Sequence, residues 1–187
     1  MKNKIIISII LLTFSQQLFS QHTDSKHHME DISSIETHQD ESYFRTSIAL
    51  AHTYVPQSTV EGKEILIFPS LGLDFEYWFN HKIGLGLHND IELVVFEVQD
   101  DRGNYIQRQY PLLSTLDLLW SPVQNVSLLV GPGIEFEKHQ NYFIFRIGIE
   151  GEIPINSRID VAPILFYDVR KNAYDTFSVG IGFGYHF

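Results

Sequence analysis

From Phe44 to the last residue, Phe187, large apolar residues alternate with small or polar ones, and short polar segments interrupt this alternation. A period of two residues is typical of β-strands, because successive side chains point to opposite faces of a sheet. The pattern predicts an all-β fold with eight strands, at about 44–55, 64–79, 82–98, 107–120, 126–136, 142–153, 158–169 and 176–187.

The volume of the apolar side chains indicates which face of the strands points outward. The apolar face carries roughly 40 large side chains, whereas the interior of an eight-stranded barrel has room for only about a dozen. The opposite face is rich in small residues, such as Gly180, Gly182 and Gly184, which suit a crowded lumen. The sequence therefore predicts a closed, antiparallel, up-and-down, eight-stranded transmembrane β-barrel over residues 44–187, with its apolar face toward lipid.

The first 43 residues have a different character. Residues 1–20 begin with Lys2 and Lys4, continue with a short apolar run and end in small or polar residues, which is typical of a secretory signal peptide. Residues 21–43 are polar and His-rich without a steady period, and we interpret them as a flexible periplasmic leader. Loss of Lys2 and Lys4 from the 13 basic residues leaves the 23 acidic residues in excess by 12, which argues against nucleic acid as a partner. The chain has no cysteine, which excludes disulfides and thiolate metal sites.

The last strand, from Phe177 to Phe187, alternates aromatic residues with glycine and ends in phenylalanine. It resembles the C-terminal assembly signal of outer-membrane proteins. Residues 44–187 as a whole resemble the small eight-stranded outer-membrane barrels of the OmpX and OmpW type, particularly those of Bacteroidota-like bacteria. The resemblance implies location in the outer membrane, contact with its lipid, and recognition of the strand ending at Phe187 by the barrel-assembly machinery.

The face predicted to line the lumen is strongly charged. By parity it includes Arg45, Asp74, Glu76, Asp90, Glu92, Asp117, Glu135, Glu137, Arg146, Glu150, Glu152, Arg158, Asp160 and Asp168. Because a buried charge must be paired or solvated, the favoured interpretation is a network of ion pairs and water that fills the barrel. The alternative is a lumen that attracts cations, since the acids outnumber the arginines.

Two further sets of residues are candidates for metal binding or catalysis. In the leader, His22, His27, His28 and His38 suit weak binding of divalent zinc, nickel or copper, although a solvated tether without metal is favoured because their spacing is loose. On the barrel, Ser114 and His52 fall on strands that are not neighbours, so no catalytic arrangement is predicted. We expect neither enzymatic activity nor a cofactor.

The sequence favours a small non-porin protein with a structural or binding role in the cell envelope, because eight strands leave too little lumen for a porin. Passage of cations or small hydrophobic solutes, through the lumen or a lateral opening, is the alternative. A lipid-modifying enzyme and a soluble lipocalin-like binder are less favoured.

Overall fold

The computed structural model describes residues 42–59, 62–100 and 102–187. The predicted signal peptide, 1–20, and residues 21–41 of the predicted leader lie outside the described residues. The described part forms the strands β1 (Tyr43–Thr59), β2 (Gly62–Trp78), β3 (Ile83–Glu92), β4 (Val95–Gln99), β5 (Tyr105–Gln109), β6 (Leu112–Val123), β7 (Val126–Phe136), β8 (Tyr142–Gly151), β9 (Ile153–Pro154), β10 (Ile159–Arg170) and β11 (Thr176–His186). In the same residues no helix is long and apolar enough to cross a membrane.

The strands close into a barrel in which every neighbouring pair is antiparallel. The order around the wall is β1, β2, β3, β6, β7, β8, β10 and β11, and β11 returns to pair with β1. The closing ladder is long, running from Arg45 opposite His186 to Tyr54 opposite Phe177. The prediction of a closed eight-stranded up-and-down barrel is therefore confirmed. Closure leaves no unpaired edge, which is the condition for a sheet to cross a membrane.

The short strands β4, β5 and β9 extend three of the eight wall strands, and prolines explain where the wall strands divide. Proline cannot donate a ladder hydrogen bond. Pro111 separates β5 from β6, and Pro163 lies on β10 opposite the break between β8 and β9. The predicted strands at 82–98, 107–120 and 142–153 are thus each two consecutive strands, and β4 and β5 pair as a small sheet of their own.

Tight turns join the strands at the end of the barrel where the C-terminus lies, which we call the turn end. The side-chain oxygen of Asn80 accepts hydrogen bonds from the backbone nitrogens of Lys82 and Ile83, at 2.8 and 3.0 Å. Asn156 repeats this arrangement with Arg158 and Ile159, at 2.8 and 3.0 Å. Asparagine is common at such positions because its short side chain replaces a backbone acceptor.

The two faces of the wall differ as the volume argument predicts. The exposed large hydrophobic residues are spread over all eight wall strands, for example Leu50 at 61% and Ile181 at 51% exposure. The inward face carries charged and small residues, and the small ones allow close approach. A side chain at Gly131 would place its Cβ 2.0 Å from the carbonyl oxygen of Leu116 on β6. The apolar face is therefore the outer surface of the barrel, where lipid can cover it.

Candidate functional site in the barrel lumen

Among the described residues, the lumen contains three groups of buried ion pairs and two apolar clusters. One apolar cluster brings together Ala49, Ala51, Trp78, Leu119, Leu129, Ala162, Ile164 and Phe166, and the other lies at the loop end. We name the ion-pair groups from the turn end: the turn-end cluster around Arg45, the central cluster around His88 and Arg146, and the loop-end cluster around Arg108 and Arg170. The described residues that form the loop end are 100, 102–104, 137–141 and 171–175.

In the turn-end cluster one arginine faces three carboxylates. The Arg45 guanidinium donates to both oxygens of Asp160, at 2.9 and 2.8 Å, and also pairs with Glu76 and, at 2.8 Å, with Glu150. The indole nitrogen of Trp78 donates to the second oxygen of Glu76, at 2.7 Å. One positive charge thus neutralises only part of this group.

A cavity opens below the turn-end cluster. Tyr43 and Trp78 stack with ring centroids 5.9 Å apart, and both rings line a cavity of about 490 Å³. An adjoining cavity of about 310 Å³ shares Tyr43 and the half-buried Glu152. The tyrosine–tryptophan pair therefore separates Glu76 from the open turn end.

The central cluster has two parts, and the first surrounds Arg146. Its guanidinium donates to both oxygens of Asp168, at 2.7 and 2.9 Å, and lies 2.7 Å from an oxygen of Asp90. The group also stacks over the Phe166 ring, 4.6 Å from its centroid. Because Arg146 is 1% exposed, these contacts take the place of water around it, but its Nη1 has no hydrogen-bond partner besides the ion-pair contact with Asp90.

The second part of the central cluster surrounds His88, which is completely buried. Its Nδ1 lies 2.8 Å from Asp117 Oδ2, and the same oxygen accepts a hydrogen bond from the Thr115 hydroxyl at 2.6 Å. Its other nitrogen, Nε2, has no hydrogen-bond partner. Gly86 provides space for the ring, because a Cβ there would lie 2.4 Å from His88 Cε1.

The loop-end cluster is centred on Glu135. This carboxylate accepts hydrogen bonds from Arg108, from Arg170 and, at 3.0 Å, from the hydroxyl of Tyr174. Arg170 also donates to Glu92, at 3.4 Å. Burial raises the pKa of the Tyr174 hydroxyl well above its ordinary value, so the group remains a donor.

An apolar cluster, which we call the plug, covers the lumen at the loop end. It brings together Val55, Phe68, Phe96, Val98, Tyr142, Ala173 and Tyr174. Phe96, on the small β4–β5 sheet, stacks on Phe68 at 4.8 Å between ring centroids and meets Tyr174 edge-on at 5.8 Å. The lumen is therefore packed with side chains from the turn-end cluster to the plug.

The structure brings most of the predicted lumen residues together. Those buried inside the barrel are Arg45, Asp74, Glu76, Asp90, Glu92, Asp117, Glu135, Arg146, Glu150, Asp160 and Asp168. Glu137 pairs with Arg108 at 3.3 Å, and Glu152 lies half-buried at the turn end. The placement of Arg158 was wrong: β10 begins one residue later, at Ile159, so Arg158 lies exposed in the turn, where alternation no longer applies.

Sequence reasoning missed two buried arginines. Arg170 has the same parity as Asp168 but lies one residue beyond the predicted end of its strand. Arg108 has the parity of the outward residues Tyr110 and Leu112, and the irregularity at Tyr110, with φ 46, reverses the phase between β5 and β6. Only the proline at 111 hinted at this reversal.

The other candidate residues do not form a site in the part of the chain that the structure describes. His22, His27, His28 and His38 lie outside the described residues. Ser114 and His52 lie on β6 and β1, which are not adjacent, and the Ser114 hydroxyl donates to Asn89 at 2.8 Å.

Comparison with known proteins gives the fold a context. No protein-family model and no curated protein matches the chain. Among solved structures, the chain is similar to Ail, the attachment invasion locus protein of Yersinia pestis, crystallised with the heparin analogue sucrose octasulfate; identity is 16% over 79% of this chain and 99% of Ail, with a TM-score of 0.53. It is also similar to Neisserial surface protein A, with 10% identity over 78% of this chain and 99% of that one, and a TM-score of 0.53.

The fold and the two faces of the wall agree with these comparisons. This chain covers 99% of each of the two solved structures, and its barrel wall has eight strands, as theirs has. The outer surface is apolar on all eight wall strands, and the interior is polar, as in barrels that cross an outer membrane. The chain is a small, closed, eight-stranded β-barrel of the outer-membrane type.

Proposed function

We propose that this protein is a closed, non-conducting barrel with a structural or binding role in the outer membrane. The observation that carries the proposal is the filled lumen. The plug seals the loop end, and the three ion-pair clusters occupy the interior below it. Eight strands enclose a space that side chains just fill, so no continuous water path is expected.

Electrical recording tests the proposal. The folded protein, inserted in a planar lipid bilayer in concentrated potassium chloride, is expected to give no single-channel steps, while a larger porin inserted in the same way gives them. Insertion is checked by recovering the protein from the membrane and comparing its gel mobility with and without boiling. Steady conductance steps from protein shown to be inserted would contradict the closed lumen.

Cation passage is the second candidate, and the charge of the lumen favours it. Nine buried carboxyl residues face four buried arginines, Arg45, Arg108, Arg146 and Arg170, among the described residues. Cation-selective steps in the bilayer recording would support this candidate. The ladder from Arg45 to Tyr54 along β11 opposes a lateral opening between the first and last strands.

A binding role would use the loop end. A shallow cavity of about 300 Å³ lies between the loops there, lined by Asp100, Arg102, Gln140, Asn141, Lys171 and Asn172 among others. Arg102 and Lys171 are the positively charged residues of this cavity, and Asp100 lines it with them. Because the carboxylate of Asp100 would repel sulfate groups, a polysulfated sugar like the one bound to Ail does not suit this cavity. A partner of mixed charge fits this surface better.

Two further partners belong to the same proposal. Lipid would contact the apolar outer face, and the barrel-assembly machinery would recognise β11 with the Phe187 that follows it. Phe187 donates its backbone N–H to the carbonyl of Phe44 at 2.9 Å, so the last residue is held at the barrel seam.

A further inference from the structure

We propose that the lumen holds a divalent transition-metal ion between His88, Glu76 and Glu150. One ring nitrogen of His88 and one carboxylate oxygen from each glutamate lie within 4.8 Å of one another, and all three residues are buried. One imidazole and two carboxylates are a donor set suited to zinc, manganese or iron. The site lies inside the barrel, and its three residues are different ones from the histidines named in the leader.

The state of the imidazole is the first argument for a metal. Asp117 accepts a hydrogen bond from Nδ1 at 2.8 Å, and Thr115 fixes the carboxylate from the other side at 2.6 Å. A carboxylate bonded to one histidine nitrogen directs the lone pair to the other nitrogen and is the usual support of a metal-binding histidine. Here the other nitrogen is Nε2, which is buried without a hydrogen-bond partner.

The spacing of the donor atoms is the second argument. The three donor atoms form no hydrogen bonds with one another, so the imidazole and the glutamates do not satisfy each other directly. Two ligands at about 2.1 Å from a tetrahedral zinc ion lie about 3.4 Å apart. The three donor atoms lie within 4.8 Å of one another, so binding would draw them together by up to about 1.4 Å, through rotation of the two glutamate side chains.

Charge balance is the third argument. Arg45 is the cation that contacts Glu76 and Glu150, and it also pairs with Asp160. Asp117 adds a fourth carboxylate beside His88. Buried carboxylates in excess of their cations are unfavourable, and a divalent ion removes two units of that excess. The ligand oxygens retain capacity, since a carboxylate oxygen can accept from more than one partner.

The route by which the ion would enter leads from the turn end. Trp78, which donates to Glu76, lines the cavity at the turn end together with Tyr43. The half-buried Glu152 lies at the same cavity and offers a carboxylate at its mouth. The site would therefore load from the turn end, because the plug closes the opposite end.

The neighbouring indole makes the site observable. The chain has two tryptophans, Trp78 and Trp120, and Trp120 is 51% exposed on the outer face. In a chain carrying Trp120→Phe, fluorescence reports on Trp78 alone. His22→Ala, His27→Ala, His28→Ala and His38→Ala in the same chain remove the leader histidines as competing ligands.

The test uses this full-length variant, folded in detergent, with gel mobility before and after boiling as the measure of folding. After zinc loading and gel filtration, we expect about one zinc per chain, the capacity of a single three-donor site. Paramagnetic cobalt should quench Trp78 fluorescence, and excess zinc should reverse the quenching. A folded protein that retains no zinc, cobalt or manganese would overturn the proposal.

Further variants separate metal binding from structure. His88→Gln and Glu150→Gln should each abolish both zinc retention and quenching. Glutamine has nearly the same shape as glutamate, so Glu150→Gln still tests the site if His88→Gln folds poorly. Asp117→Asn, which removes the support of the imidazole, should weaken zinc binding by about 10–100-fold. His139→Gln, at an exposed loop histidine, is the matched control and should bind zinc normally. Zinc bound equally by folded His88→Gln and Glu150→Gln would overturn the assignment.

Discussion

Replacing Arg146 by methionine is expected to lower the free energy of unfolding by about 3–5 kcal/mol. Methionine preserves much of the length of the side chain but removes the charge, so Asp168 and Asp90 stay buried without the cation that contacts them. Removing one partner of a buried ion pair is costly because the remaining charge keeps its desolvation penalty. Urea unfolding of the folded protein in detergent or lipid vesicles, followed by tryptophan fluorescence, measures the effect.

Arg158 provides the matched control, because the sequence predicted the same lumen environment for both arginines. Its guanidinium is exposed and donates to the Tyr185 hydroxyl, at 3.4 Å. Arg158→Met should change stability by less than about 0.5 kcal/mol. Asp168→Asn should restore part of the loss caused by Arg146→Met, since it removes the orphaned charge. Equal effects of the two arginine substitutions would contradict the buried network.

The contrast between these arginines shows how far the sequence alone predicts the barrel. Within a long strand, parity is sufficient to give the face of a residue: Arg45, Glu76 and Asp160 come from different strands and are all buried in the lumen, as their positions on the polar face predict. Parity works there because a side chain in a regular strand has only two directions to choose from. The same argument correctly placed the large apolar residues outside.

Prediction failed where the regular ladder ends. The predicted strand ran from 158 to 169, whereas β10 runs from Ile159 to Arg170. This shift of one residue at each boundary places Arg158 outside the strand and Arg170 inside it, so Arg170 is the buried arginine and Arg158 the exposed one. At Tyr110 and Pro111 the strand is irregular, and Arg108 consequently points inward although its parity is outward. Boundaries and irregularities depend on local hydrogen bonding that a period of two does not encode.

The pairing pattern in the lumen was also beyond sequence reasoning. Periodicity gives the face of a residue but not its height relative to residues on strands across the barrel. Glu135 on β7 meets Arg170 on β10 because their positions along the barrel axis coincide, and this coincidence depends on the strand registers. The candidate metal site has the same origin, since His88, Glu76 and Glu150 come from three strands.

Replacing Leu50 by arginine is expected to make folding into a bilayer less favourable by about 2–4 kcal/mol. Leu50 lies midway along the closing ladder, opposite Leu71 on one side and Ile181 on the other, and is 61% exposed on the outer face. At this height an outward side chain meets the centre of the hydrocarbon layer, where a guanidinium loses its hydration. Folding from urea into lipid vesicles, followed by gel mobility without boiling, measures the change.

Ile155 makes this a test of the membrane itself, because it is also a branched aliphatic residue at 61% exposure. It lies in the turn between β9 and β10, at the end of the barrel, so Ile155→Arg can keep its charge in water or near the headgroups. We expect a cost below about 1 kcal/mol there, as charged substitutions become cheaper toward the interface. Because the two residues are equally exposed, a barrel surrounded by water would tolerate both substitutions alike. A large difference between them therefore requires a hydrocarbon layer around Leu50, and equal small effects would contradict a membrane-spanning wall.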